Sequence, residues 1–327
     1  MMLKAGQIME SNVKKVKLVV HLETNGAPPT VETKWRELAR IFPGLEIVRV
    51  ASQEELERAL PEADLAAAWR FPAELYERAP RLRAVLTPSA GNEGTPPDPA
   101  GRVPVIHATF HGVLMSETLL GLMLFFNRQL RRLLENQAAR RWEREFLLAS
   151  RLLRGQRVLI IGYGHIGRAC ARLLKAFDCK ITGMKRSPRD EGLDADADEI
   201  ITYAGLPDAL GKADHVVVIL PSGAETDRII TRDHFRAMKR SAYLYNLGRG
   251  NCYAEEDLVW ALESDLIAGA GLDVFETEPL PPSSRLWELP NVVILPHASA
   301  MYPGFMDLFF EELSAHLREM LAAGSPH

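Results

Sequence analysis

The chain has 327 residues, 47% of them hydrophobic and 25% charged, with a formal net charge of -4. That length suits two domains, the composition is that of an ordinary globular protein, and the charge gives no reason to expect nucleic acid or an anionic membrane as a partner. The three cysteines, Cys170, Cys179 and Cys252, follow no pattern, which fits a reducing, cytoplasmic setting rather than a disulfide framework.

The opening stretch MMLKAGQIMESNVKK contains no continuous apolar run of the kind a secretory signal needs. Lys17 to Leu22 reads as a first strand, and Glu32 to Phe42 carries Trp35, Leu38, Ala39 and Phe42 at helical spacing. Strand 45–50, helix 54–60, strand 63–69, helix 73–78 and strand 82–86 follow, and then a turn-rich SAGNEGTPPDPAG. Strands alternating with helices imply a parallel sheet covered on both faces, so this segment is a small α/β domain. Ser116 to Leu148 reads as one long helical region, with Ser116 and Glu117 at its start and Leu119, Leu120, Met123 and Leu124 on its apolar face. Its apolar run 119–126 is too short to span a bilayer. The charged later half, RQLRRLLENQAARRWEREF, suits either a solvated helix or an arm packing on a second subunit.

Next comes RVLIIGYGHIGRACARLLKAF, from Arg157 to Phe177. A short apolar strand leads into Gly162, Gly164 and Gly167 in the pattern G-x-G-x-x-G. Behind it Ala169, Leu173, Leu174 and Phe177 mark a helix. Strand, glycine turn and helix together are the context of a dinucleotide site. The first glycine permits the tight turn, the second admits the pyrophosphate, and the third lets helix and strand pack closely. The helix N-terminus turns free N–H groups toward the phosphates. Further strands are expected at 179–183, 199–201, 215–220, 242–246, 267–273 and 292–295, with helices at 255–263 and 305–321 and a solvated acidic loop at 194–198. The predicted architecture is α/β, two doubly wound parallel-sheet domains. Residues 113–298 form a Rossmann dinucleotide-binding domain, and 1–112, completed by 299–327, form a smaller flavodoxin-like substrate domain.

In open α/β sheets ligands bind outside the carboxyl ends of the strands. Arg249, Asp273 and His297 lie at or just past such ends, with Glu278 in the loop after Asp273. These are the parts for reducing a 2-keto acid. An arginine grips a carboxylate or carbonyl through paired hydrogen bonds. A histidine gives a proton to the carbonyl oxygen as hydride reaches the carbon, and a carboxylate behind it orients the ring and favours its charged form. No metal site is expected.

Four stretches, GYGHIG at 162–167, ILPSGAETDRII at 219–230, NLGRGNCYAEEDLVWAL at 246–262 and AGLDVFETEPLPPSSRLWELPNVVILPH at 270–297, give the chain its resemblance to the D-isomer-specific 2-hydroxyacid dehydrogenase family. The resemblance covers most of the chain. It implies that His297 is the acid/base, Glu278 its partner carboxylate and Arg249 the substrate-binding arginine. It implies further that Gly162, Gly164, His165, Ile166 and Gly167 hold the cofactor phosphates, that Pro221 and Thr226 line the cofactor, and that Asp273 holds the nicotinamide carboxamide. Ser89, Ala90 and Gly91 resemble the loop whose N–H groups receive the substrate carboxylate, and Arg70, at a strand end beside Trp69, is a candidate for the rest of the substrate. The sequence departs from the family at Asn92-Glu93, at His107 and His111, at Asn251-Cys252-Tyr253 and at Ala298-Ser299-Ala300. These changes bear on which acid is used, with glyoxylate and hydroxypyruvate expected first. The competing reading is a nucleotide-sensing, corepressor-like binding module of the same fold. The family's habit of pairing through dinucleotide domains also implies a homodimer, built on 128–148.

The cofactor is read from one turn. Where NAD-preferring folds place an acid about 20 residues past the glycines, this chain has Lys185, Arg186, Ser187, Pro188 and Arg189, with no carboxylate before Asp190. NADP(H) is therefore expected over NAD(H), with Arg186 the main determinant and Lys185 and Ser187 secondary; NAD(H) binding through its pyrophosphate alone is the alternative.

Overall fold

The computed structural model describes residues 15–22, 29–187 and 194–323; Pro188, Arg189 and Asp190 of the expected cofactor turn lie outside them. The chain divides into two units, residues 1–108 with 304–327, and residues 109–303. The divisions fall a few residues from the expected 112/113 and 298/299.

The first unit contains strands β1 (Val16–His21), β2 (Leu45–Arg49), β3 (Leu65–Ala68), β4 (Ala84–Thr87) and β5 (Val105–His107). They run parallel in the order β2-β1-β3-β4-β5, the flavodoxin-like order. Helices α1 (Pro29–Ile41), α2 (Gln53–Ala59) and α3 (Leu75–Arg78) connect them. Helix α10 (Phe305–Ala323) belongs to this unit; its Phe310 meets Trp35 of α1 edge-on, with ring centroids 4.6 Å apart. Strand β5 was not anticipated. It is three residues long and follows Pro104, too short a run for alternation to show.

The second unit is a seven-stranded parallel sheet of β6 (Arg157–Ile161), β7 (Lys180–Met184), β8 (Glu199–Ile201), β9 (His215–Val218), β10 (Tyr243–Asn246), β11 (Gly269–Leu272) and β12 (Val292–Ile294). Its order is β12-β11-β10-β9-β6-β7-β8, so the chain reverses direction across the sheet between β6 and β9, the switch point where doubly wound sheets bind dinucleotides. Both faces are covered, which is why Val158 to Ile161 and Val216 to Val218 form uninterrupted apolar runs, all buried. Helices α6 (His165–Lys175), α7 (Leu206–Lys212), α8 (Arg232–Ala237) and α9 (Glu255–Glu263) lie between the strands. α7 and α8 escaped the sequence reading because six or seven residues present too few apolar positions to show a period; Leu206, Leu210 and Phe235 are their buried contacts.

The structure departs from two expectations. The region 116–148 is not one helix capped by Ser116. Helix α4 (His111–Asn127) starts earlier, at Phe110, and buries Ser116, whose hydroxyl donates to the Val113 carbonyl at 2.8 Å. It ends where Gln129 takes a left-handed conformation (φ 56°), and α5 (Leu130–Ala138) starts afresh. The apolar face of α4 is absorbed by the second sheet, with Phe126 stacked on Tyr243 at 4.7 Å. Nor is 194–198 a solvated loop. Asp194, Asp196 and Asp198 pair with Arg168, Arg172 and Lys175 at 3.3, 2.9 and 2.8 Å. Acids repeating every second residue thus meet bases spaced by a helical turn on α6.

Among the described residues no helix is long and apolar enough to cross a membrane. All three cysteines are free and buried; burial pushes the Cys170 thiol up to about 12, far from a reactive thiolate.

Candidate active site

Strand β6 ends at the glycine turn. Gly162 has φ +99°, and a Cβ there would sit 2.2 Å from the Ile219 carbonyl oxygen. At Gly167 a Cβ would come 2.6 Å from the Gly162 carbonyl, so only glycine lets α6 lie this close to its strand. At Gly164 nothing lies within 4 Å of the Cβ position. The backbone is therefore open at the one glycine where a pyrophosphate must approach. Gly164 precedes the first turn of α6, whose N–H groups at His165, Ile166 and Gly167 have no partner in the helix's own ladder. This cradle fits a dinucleotide.

Lys185 follows directly on β7, its N–H donating to Ile201. Its ammonium lies 5.9 Å from the Tyr163 ring centroid, and the Tyr163 hydroxyl donates to Asp194 at 3.1 Å. Arg186 reaches Glu225 at 2.6 Å in the loop after β9, with the two side chains 85% and 71% exposed. Ser187 is half-buried. Loops after β7 and β9 flank the glycine turn after β6, and the Arg186–Glu225 pair joins these two loops. Glu225 carries no mark of this role in the sequence. It lies 39 residues from Arg186, and no local pattern links the two. In the same loop Pro221 opens a turn in which the Thr226 hydroxyl lies 2.7 Å from the Pro221 carbonyl and 2.9 Å from that of Gly223.

Arg249 sits in the turn after β10, and Asn246 organises that turn. Asn246 is fully buried; its Nδ2 donates to the Arg249 carbonyl at 3.0 Å and its Oδ1 accepts from Gly248 N–H at 3.1 Å. Arg249 Nη1 donates to the Gly248 carbonyl at 2.7 Å. A Cβ at Gly250 would come within 2.0 Å of the Phe275 carbonyl, so the Gly-Arg-Gly turn is pressed against the chain leaving β11. Asn246 was within the motif but had no role assigned; an asparagine at a strand end just before a glycine turn is the local pattern that could have marked it.

The chain leaving β11 carries the second half of the site. His297 Nδ1 and Glu278 Oε2 are 2.6 Å apart, and the other carboxylate oxygen of Glu278 accepts from Phe275 N–H at 3.0 Å. His297 has φ +53°, a region that non-glycine residues seldom occupy and that concentrates at functional sites. Asp273 holds it there. The Asp273 carbonyl accepts from His297 N–H at 2.9 Å, while its buried carboxylate accepts from Ala298 N–H at 2.6 Å and Ser299 N–H at 3.1 Å. Asp273 thus frames the histidine turn, beside the nicotinamide contact that the family resemblance implies for it. His297 itself stays half exposed. Fixed backbone and accessible ring suit a group that hands protons to a bound molecule.

The remaining candidates are in the first unit. Ser89, Ala90 and Gly91 form the turn after β4. Arg70 is exposed, just past β3, and Trp69 stacks on Phe305 with centroids 5.8 Å apart. Among the described residues no group of three or more His, Cys, Asp or Glu side chains could hold a metal ion.

The profile of the NAD binding domain of D-isomer specific 2-hydroxyacid dehydrogenases matches residues 120–299. A glyoxylate reductase of Thermofilum pendens is 32% identical over 261 residues, 76% of each chain. An NADPH-dependent glyoxylate/hydroxypyruvate reductase of Sinorhizobium meliloti, solved with NADP and sulfate, is 30% identical with a TM-score of 0.76, covering 95% of this chain and 96% of that one. A D-isomer specific 2-hydroxyacid dehydrogenase of Xanthobacter autotrophicus, solved with NADPH, is 26% identical with a TM-score of 0.78 and the same coverage.

Proposed function

The chain belongs to the D-isomer-specific 2-hydroxyacid dehydrogenase family and is an NAD(P)-dependent dehydrogenase, and on that premise we propose that it interconverts a small 2-keto acid, of the glyoxylate or hydroxypyruvate type, and the D-2-hydroxy acid, with NADPH preferred to NADH. The observation that carries the proposal is the 2.6 Å His297–Glu278 pair on a left-handed backbone at the carboxyl edge of a dinucleotide-binding sheet. A corepressor-like module would need the glycine cradle alone; it would have no use for this pair.

A nicotinamide dinucleotide held at the Gly162–Gly167 turn would supply the hydride for the carbonyl carbon. With Nδ1–H donated to Glu278, the His297 ring has Nε2–H left for the carbonyl oxygen, and its charged form is balanced by the carboxylate behind it. The proton leaves Nε2 as the alkoxide would form, and solvent restores it because the ring is half exposed. Arg249 supplies paired N–H donors for the carboxylate and carbonyl of the acid. The N–H groups of the Ser89–Gly91 turn are assigned to the acid's carboxylate, and Arg70 to its remaining polar groups.

Three features support NADPH. Lys185 and Arg186 stand where an acid would accept from a ribose hydroxyl. Ser187 adds a hydroxyl. The Glu225 partner of Arg186 is no obstacle, because exposed pairs contribute little net stability and a phosphate can replace the carboxylate. The test is a panel of 2-keto acids with each reduced cofactor, followed by the loss of reduced-nicotinamide absorbance. Turnover of glyoxylate or hydroxypyruvate is expected; nucleotide binding without turnover across the panel would favour the corepressor-like reading.

The same proposal includes a homodimer through the segment after α4. Trp142 and Leu148 are 98% and 92% exposed, and Leu134 is also exposed. Large apolar side chains left exposed within one segment are a feature of association surfaces, and closed two-fold dimers are the commonest oligomer. Sedimentation at micromolar concentration should give a dimer, and Trp142→Glu with Leu148→Glu should shift it to monomer. A wild-type monomer would end this part of the proposal.

A further inference from the structure

His107 is one of the residues at which this chain departs from its family, and the functional reading above leaves it without a role. It is the last residue of β5, paired in register with Thr87, the last residue of β4. Ala108 N–H closes that pair by donating to the Thr87 carbonyl at 3.0 Å. The turn that follows β4 is Pro88-Ser89-Ala90-Gly91. Its first polar residue is held on both sides. Ser89 N–H donates to the Thr87 hydroxyl at 3.2 Å, and the Ser89 carbonyl lies 3.2 Å from His107 Nδ1. A carbonyl oxygen can only accept, so Nδ1 carries the hydrogen; this fixes the ring's tautomer when it is neutral and holds equally when it is charged.

The next two residues contrast with Ser89. The N–H groups of Ala90 and Gly91 make no hydrogen bond among the described residues, and Ala90 is exposed. Consecutive backbone N–H groups in a turn, left without a partner among the described residues, are suited to receive an anion. Their direction is set by the peptide planes before them, and the plane joining Ser89 to Ala90 carries both the carbonyl that His107 holds and the Ala90 N–H. Rotating that carbonyl away from His107 would swing the Ala90 N–H by the same angle.

We propose that His107 is a positioning residue: by holding the Ser89 carbonyl it aims the Ala90 and Gly91 N–H groups at the carboxylate of the 2-keto acid. This rests on the functional reading given above. His107 touches no substrate atom and acts only through the turn. Because the carboxylate is held alike in substrate and transition state, loss of the contact weakens binding and leaves the hydride step unchanged.

The test compares wild type with His107→Leu and His107→Asn, two side chains of nearly equal size of which only asparagine can donate to the Ser89 carbonyl. With glyoxylate and NADPH, His107→Leu should raise KM for the acid at least about fivefold, the scale of one lost hydrogen bond, with kcat and NADPH affinity unchanged. His107→Asn should keep the wild-type KM. Hydrogen exchange at 89–91 gives a second readout independent of activity: it should quicken in the leucine variant and not in the asparagine one. Should leucine prevent folding, His107→Ala takes its place. Equal KM and equal exchange in the leucine and asparagine variants would overturn the proposal. A wild type that turns over no 2-keto acid would overturn the functional reading instead, and the exchange comparison would still decide whether His107 holds the turn.

Discussion

Two histidines lie at opposite ends of the parallel strands of the seven-stranded sheet. His215 opens β9, and His297 follows the end of β12. Both adjoin apolar strand residues, and in the sequence they look alike. His215 is 1% exposed, with Nδ1 3.0 Å from the Tyr245 hydroxyl and Nε2 against the Gln156 side chain. Both partners are neutral, and burial pulls the ring down to about 4 despite the nearby Asp214. His297 is half exposed, on a left-handed backbone held by Asp273, with a carboxylate behind it. One ring is kept neutral and closes a buried network; the other is kept open to solvent with a counter-charge. Strand polarity explains the assignment. In a parallel sheet the carboxyl edge carries the loops that meet ligands, and the amino edge serves stability.

The comparison breaks first at His297. His297→Ala should lower kcat about 100-fold or more, the scale of a lost general acid. NADPH affinity and melting temperature should stay near wild type, because the phosphate cradle lies at Gly162–Gly167. Glu278→Gln should lower kcat less, since the amide can still orient the ring. A His297→Ala variant with most of its activity would remove the distinction between the two histidines.

His215 should show the opposite profile. Its folded pKa of about 4 lies below the ordinary 6.5, so the unfolded chain binds the proton more readily. Its contribution is therefore whole above about pH 6.5 and is lost as pH falls through about 4, roughly 3 kcal/mol in all. Replacing it by phenylalanine takes the Tyr245 hydroxyl's ring partner and one of the two donors at Gln156 Oε1, where Asn127 Nδ2 remains at 3.0 Å, and should destabilise the protein at pH 7, with kcat unchanged where the variant is folded. The stability gap between wild type and His215→Phe should narrow from pH 6.5 to 4 in denaturant titrations. A constant gap would show that His215 is not held neutral.

Much of this was legible in the residues, and the parts that were not share a cause. Buried parallel strands are uninterrupted apolar runs, so β6, β9 and β10 could be read directly. Gly162, Gly164 and Gly167 carry their geometry in their spacing. The break at Gln129 has no glycine or proline to announce it. The pairing of Arg186 with Glu225, and the grip of Asp273 on Ala298 and Ser299, join residues 39 and 25 or more apart, which no local window contains. The acids at 194, 196 and 198 are visible as a run, but their bases on α6 are met only where the turn before β8 lies along that helix.

The smallest expected effect is also the most direct test of the account, which holds that chemistry and cofactor choice reside in separate parts of the second unit. The measurement is the steady-state specificity constant for NADPH and for NADH, with glyoxylate saturating, in wild type and Arg186→Ala. The account predicts at least about tenfold preference for NADPH in wild type, from charge-assisted hydrogen bonds to the 2′-phosphate. Arg186→Ala should lose most of that preference, with NADH constants and turnover at saturating cofactor unchanged. Equal constants for the two cofactors in wild type, or an equal loss with both in the variant, would contradict it.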